Sequence, residues 1–281
     1  MPVPMEEFRK KSDFLVCVDS DGCAMDTMDI KHIRCFGPCM VAEWGLEQWA
    51  EPILERWNVI NLYSMTRGIN RFKGLSMALT EIDAQYTPIE GIADLQAWVV
   101  SGAAPSNDAL QKAIDATGSA ILRKALSWSK AVNAAIAELP EEEKRPFPGA
   151  KEGLAAAAGF ADVVMVSSAN YDAVMEEWTK YGLIDYIDVV MAQDKGSKAH
   201  CIAEMLKLGY APDHVLMVGD APGDQDAAGQ NGVYYYPILV RHEEESWDEL
   251  VAHGFEQFQK LDYAPYGEER VRAFLRNLGA E

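Results

Sequence analysis

The chain has 281 residues, 49% of them hydrophobic and 25% charged, with a formal net charge of −19. That length allows one large domain or two, and the apolar content is enough for a packed core. The negative charge excludes a general nucleic-acid surface, which would be basic, and an anionic ligand would need local cations set against this field.

In chain order, the amino-terminal MPVPMEEFRKK carries no apolar signal core, and no later apolar run reaches membrane-spanning length. The five cysteines, at 17, 23, 35, 39 and 201, are odd in number and read as reduced thiols. The expected location is therefore the cytoplasm. Phe14–Val18 is a buried-strand pattern that stops on Asp19-Ser20-Asp21-Gly22. Ligands of open α/β sheets bind beyond the carboxyl ends of strands, so both carboxylates stand where chemistry is done. Two such close carboxylates repel and call for a shared proton or a divalent metal.

From about 28 to 144 the texture is helical, with Ile33, Met40, Trp44, Trp49, Ile53 and Trp57 on apolar faces. His32, Cys35 and Cys39 lack a second ligand pair at finger spacing, which argues against a metal cluster there. Arg67, Arg71 and Lys73, with Asn70 among them, bring three cations into one loop or helix start of an acidic protein. They read either as a helix N-terminus with solvated charges or as an anion clamp facing substrate. Residues 101–108 form a break, a helix is predicted over 108–139, and 140–149 is the clearest linker.

Beyond the linker, strands and helices alternate, which means a parallel sheet covered on both faces. Strand patterns at 161–166, 187–191, 215–218 and 233–240 are separated by helical ones at 171–181 and 199–208, and residues 243–281 are amphipathic helix. The first strand belongs with this half. The reading is an α/β fold: a discontinuous Rossmann-like core, 1–26 and 145–281, with residues 27–144 inserted as a helical cap.

Four strand ends deliver polar residues: Asp19 and Asp21, Ser167 and Ser168, Lys195 and Lys198, Asp220 and Asp224. Asp19, Asp220 and Asp224 make an all-oxygen set suited to Mg²⁺. Serine and lysine beside such a metal suit a phosphoryl group. With no Ser-His or Cys-His pair in evidence, a carboxylate can itself be the nucleophile, and its neighbour the general acid and base.

The order of these motifs resembles the haloacid dehalogenase superfamily. Its D-x-D-G is Asp19 to Gly22, its strand-ending Ser is Ser167, its Lys is Lys198 or Lys195 with Lys198 preferred, and its G-D-x-x-x-D is Gly219-Asp220 to Asp224. The resemblance covers about 12–26 and 147–241 and implies Asp19 as nucleophile and Asp21 as acid and base. It also implies Mg²⁺ held by Asp19, the Asp21 carbonyl and Asp220, and a mobile cap. An insertion directly after the first motif resembles the helical-cap subgroup, which includes phosphoglycolate phosphatase-like enzymes and β-phosphoglucomutase. Cys23 stands where the family usually has Thr or Val.

The expected function is a Mg²⁺-dependent phosphatase for a small phosphorylated metabolite, with Ser168, Arg67, Asn70 and Arg71 as candidate substrate contacts. A phosphomutase would need a second phosphate site, for which Arg67 or Arg71 would serve. A P–C hydrolase would need a cap lysine, such as Lys31 or Lys73. A C–Cl dehalogenase is disfavoured, since such members lack a carboxylate at the position of Asp21. A non-catalytic binding protein is disfavoured by the intact set of acids.

Overall fold

A computed structural model describes residues 1–102 and 105–280. The chain divides into two compact units, Met1–Met28 with Glu141–Glu281, and Asp29–Pro140. The expected boundaries were 26/27 and 144/145.

The first unit is built on strands β1 (Phe14–Val18), β4 (Ala161–Val166), β5 (Val189–Met191), β6 (Val215–Gly219) and β7 (Tyr234–Pro237), all parallel, in the order β5-β4-β1-β6-β7. Val16 pairs with Val163 on one side and Leu216 on the other, so β1 is central. Strand side chains alternate between faces. Val16, Val18, Val163, Met165, Leu216 and Val218 pack into one core with Leu154, Trp178, Trp247 and Phe258. The intervening Cys17, Val164 and Met217 are equally buried, and the helices Lys198–Leu206 and Pro222–Asn231 contact β4, β6 and β7. Burial on both faces is why these strands read as unbroken apolar runs. Two short antiparallel strands, β2 (Met25–Asp26) and β3 (Arg145–Pro146), tie together the two ends of chain that flank the insertion.

Both sheet edges carry contacts from the chain ends. At β5 the amide of Val3 donates to the Asp188 carbonyl at 2.8 Å. At β7 the Tyr263 hydroxyl donates to the Tyr235 carbonyl at 3.0 Å, and Phe274 packs edge-on against the Tyr235 ring. The carboxy-terminal helix Tyr263–Asn277, which lies outside the family resemblance, thus occupies an edge that would otherwise template pairing with another chain.

The second unit is helical throughout. Met28–Trp44 is one run of helix with a π-helical turn at His32–Phe36, followed by helices Ala50–Leu62, Arg71–Gln85 and Ile92–Val99. Ile33 is 46% exposed, since that turn rotates it out of the apolar stripe expected for it. Ala103 and Ala104, in the expected break, lie outside the described residues. The single helix expected over 108–139 is two, Asn107–Thr117 and Ala120–Ala137, because Gly118 takes φ 67° and turns the chain. Trp57, Trp128, Phe72, Leu75 and Leu95 are fully buried at its centre. Among the described residues, no helix is long and apolar enough to cross a membrane.

Candidate active site

The site is built at the carboxyl end of the sheet. Asp19 follows β1, its amide donating to the Val218 carbonyl at 3.0 Å, so the ladder with β6 fixes its backbone. Its Oδ1 accepts the Ser20 amide at 2.7 Å. The chain then turns tightly: the amides of Ala24 and Met25 both donate to the Ser20 carbonyl, at 3.0 and 2.9 Å. Gly22 supplies the positive φ, 84°, that the turn requires. Beyond the turn, the fully buried Thr27 donates its hydroxyl proton to Asp21 Oδ1 at 2.5 Å. This carboxylate thus has a hydroxyl donor of its own.

The end of β6 contributes Asp220 and Asp224. Asp224 lies in the first turn of the helix Pro222–Asn231, where its Oδ2 accepts the Ala221 amide at 3.1 Å. That leaves Oδ1 for Lys198, whose Nζ lies 2.6 Å from it and 2.6 Å from Asp19 Oδ2. Lys198 opens its helix, whose N-cap is Ser197, its Oγ accepting the His200 amide at 3.2 Å. Ser167 ends β4, buried, with its amide bonded to the Met191 carbonyl at 2.9 Å and its Oγ accepting the Ala169 amide at 3.1 Å.

Burial pushes the Asp19 carboxyl well above its ordinary range; Lys198 opposes the shift, while Asp224 and Asp220 add to it. Burial alone would lower Lys198, but Asp19 and Asp224 outweigh it and keep the ammonium charged. Oxygen atoms of the buried Asp19, Asp220 and Asp224 all lie within 4.8 Å of one another. Three buried carboxylates this close repel one another unless a proton or a cation joins them. That donor set, hard and all-oxygen, fits a divalent cation such as Mg²⁺.

Several expected residues take other places. The Asp21 carboxylate is not part of the three-acid set. Lys195 is exposed and pairs with Asp194 at 3.6 Å, so the sheet presents Lys198 and not Lys195 to Asp19. Ser168 is exposed, unlike Ser167. The cationic stretch is a helix N-terminus in which Lys73 is exposed and the two arginines have partners. Arg67 is 2% exposed, donates to the Leu62 carbonyl at 2.8 Å and faces Asp29 at 3.8 Å. Asn70 caps the helix Arg71–Gln85, its Oδ1 accepting the Phe72 amide, and donates to the Pro105 carbonyl. Arg71 bonds Ser129 and Asn133 and lies over the Phe36 ring. These three side chains have partners within the helical unit. Cys23 is buried, and burial, reinforced by Asp220 and Asp19, pushes its thiol well up. Thr27 was not singled out from sequence: nothing in a Thr six residues past Asp21 shows that the turn brings them together.

The family described as haloacid dehalogenase-like hydrolase matches residues 95–237, just over half of the chain. That match leaves out the stretch carrying Asp19 and Asp21. No curated protein matches. Among solved structures, a Lactobacillus delbrueckii subsp. bulgaricus protein provisionally named a phosphoglycolate phosphatase is 12% identical, covering 86% of this chain and 99% of its own, with a TM-score of 0.53. A Thermotoga maritima protein provisionally named a β-phosphoglucomutase is 15% identical over 85% of this chain and 99% of its own, TM-score 0.48. A hydrolase from Pseudomonas syringae is 15% identical over 86% and 98%, TM-score 0.48. At these identities the likeness is one of fold.

Proposed function

Because the chain belongs to the haloacid dehalogenase-like hydrolases, we propose that it is a Mg²⁺-dependent phosphatase acting on a small phosphorylated metabolite. The observation that carries this is the separation of two carboxylates on one turn. Asp19 joins Lys198, Asp220 and Asp224, while Asp21 has its own donor in Thr27.

Asp19 Oδ attacks phosphorus and the P–O ester bond breaks, giving an aspartyl-phosphate. Asp21, protonated, gives its proton to the departing oxygen. As a carboxylate it then takes a proton from water, whose oxygen attacks phosphorus and frees Asp19. Lys198 and the Ser167 hydroxyl bind the phosphoryl oxygens. Asp19, Asp220 and Asp224 would hold the Mg²⁺, with the Asp21 carbonyl as the further ligand that the family resemblance implies. When bound, the metal neutralises carboxylate charge and offsets the negative charge of the phosphoryl group. A halide leaves without a proton, so a placed Asp21 argues for an oxygen leaving group. The helical unit acts as the cap that selects the substrate.

The test is phosphate release from a panel of phosphorylated metabolites, with Mg²⁺ and with EDTA, and with Asp19→Asn as control. Metal-dependent release that Asp19→Asn abolishes supports the proposal. Equal release from Asp19→Asn would overturn it.

A further inference from the structure

Between the two carboxylates stands Ser20, whose side chain is fully buried. Ser20 lies in the turn that follows β1. There it meets Trp178, also fully buried, whose indole Nε1 donates to Ser20 Oγ at 2.8 Å. Trp178 stands two turns into the helix Tyr171–Lys180, which begins just after Ser167. It otherwise packs in the apolar core of the sheet.

The backbone of Ser20 is the hub of the turn. Its amide binds Asp19 Oδ1, and its carbonyl accepts from Ala24 and Met25. Whatever fixes Ser20 therefore fixes both flanking carboxylates. Lys198 holds Asp19; the indole fastens the same turn at Ser20. A buried indole N–H and a buried hydroxyl that lose each other leave an unsatisfied polar group, so the bond has one favoured geometry.

We infer that Trp178 and Ser20 are a positioning pair that sets the aim of Asp19 and Asp21. The inference rests on the roles proposed for those two carboxylates. Neither residue touches substrate, so the pair acts through the turn. Small errors in the placement of reacting groups are costly in rate and leave binding largely unchanged.

The experiment compares the full-length wild type, Ser20→Ala, Trp178→Phe and the double variant. Each is assayed with p-nitrophenyl phosphate and Mg²⁺, and each is followed by amide hydrogen exchange. Ser20→Ala removes the acceptor with little change in volume and covers the case in which Trp178→Phe fails to fold. Each single variant is expected to lose about tenfold in kcat, with KM changed by less than about twofold. The double variant is expected to be no worse than the lower single. The amides of Ala24 and Met25 exchange faster in every variant, while those of β4 keep their protection. Unchanged kcat with unchanged exchange overturns the inference, as does a double variant whose losses multiply. Should the wild type turn over no phosphoester, the proposed function fails, and faster or unchanged exchange at Ala24 and Met25 alone decides the positioning pair.

Discussion

The carboxyl group of Asp224 lies directly against the α-carbon of Gly219, where a β-carbon would fall well inside contact distance. This close approach lets one carboxylate reach both the Ala221 amide and Lys198. Gly219→Ala is expected to push Asp224 out of the acid cluster. Turnover should fall by about a hundredfold, a few kcal/mol of lost stabilisation, while the far-ultraviolet circular dichroism stays the same. A Gly219→Ala enzyme of normal kcat would show that Asp224 has no part in the site.

Lys198 offsets two buried carboxylates. Its replacement by Met, one atom shorter, keeps most of the apolar stem and removes the charge. The loss should destabilise the fold by about 3 kcal/mol, the usual cost of breaking a buried ion pair. Added Mg²⁺ should restore part of the melting temperature, since a cation that binds the folded state alone stabilises it. The same melt without metal decides the point: a variant that melts with the wild type refutes the charge balance described for the pocket.

Thr27→Val is nearly isosteric and deletes the donor to Asp21. A hydrogen bond to a charged group contributes about 1.5–3 kcal/mol. If Asp21 moves the proton, kcat should drop by about tenfold or more with KM nearly unchanged. Steady-state kinetics on the best substrate of the panel measures this, and a full-rate Thr27→Val would detach the hydroxyl from the proton transfer.

Burial pushes the Cys17 thiol from 9.0 up to about 12 and the Cys201 thiol up to about 11. The thiolate is the reactive form, so both should resist a thiol reagent at pH 8 until the protein unfolds. The sign of the pH dependence follows. Their folded pKa values lie above the unfolded ones, so the contribution is full below pH 9. It is lost as pH rises towards 12, because the unfolded state gives up its protons first. Denaturant midpoints at pH 8 and pH 10.5 test this, and a higher midpoint at pH 10.5 would contradict it.

Much of the sheet and the acid cluster was legible in the sequence, for a specific reason. Strands buried on both faces show as apolar runs, and each run ended on residues that have no place in a core, as Val18 does on Asp19 and Gly219 on Asp220. Lys195 and Lys198 are three residues apart, and the preference for Lys198 as the residue at the helix start agrees with the helix that opens there behind its N-cap, Ser197. Arg67, Asn70 and Arg71 have partners inside the helical unit that sequence does not show. Leu62 lies five residues before Arg67, while Asp29, Pro105, Ser129 and Asn133 are tertiary neighbours that no local pattern announces. The bond from Trp178 to Ser20 spans 158 residues and was invisible for the same reason.

The central place of β1 has a consequence for how the protein is made. Its partners begin at Ala161 and Val215, so the strand leaves the ribosome with nothing to pair with. At about 5–20 residues per second it waits on the order of ten seconds while the inserted helices are synthesised. Those helices make local contacts and can fold on emerging. The apolar strand beside them cannot, and until β4 arrives it is the segment of the nascent chain most exposed to wrong pairing, and so the natural target for a chaperone.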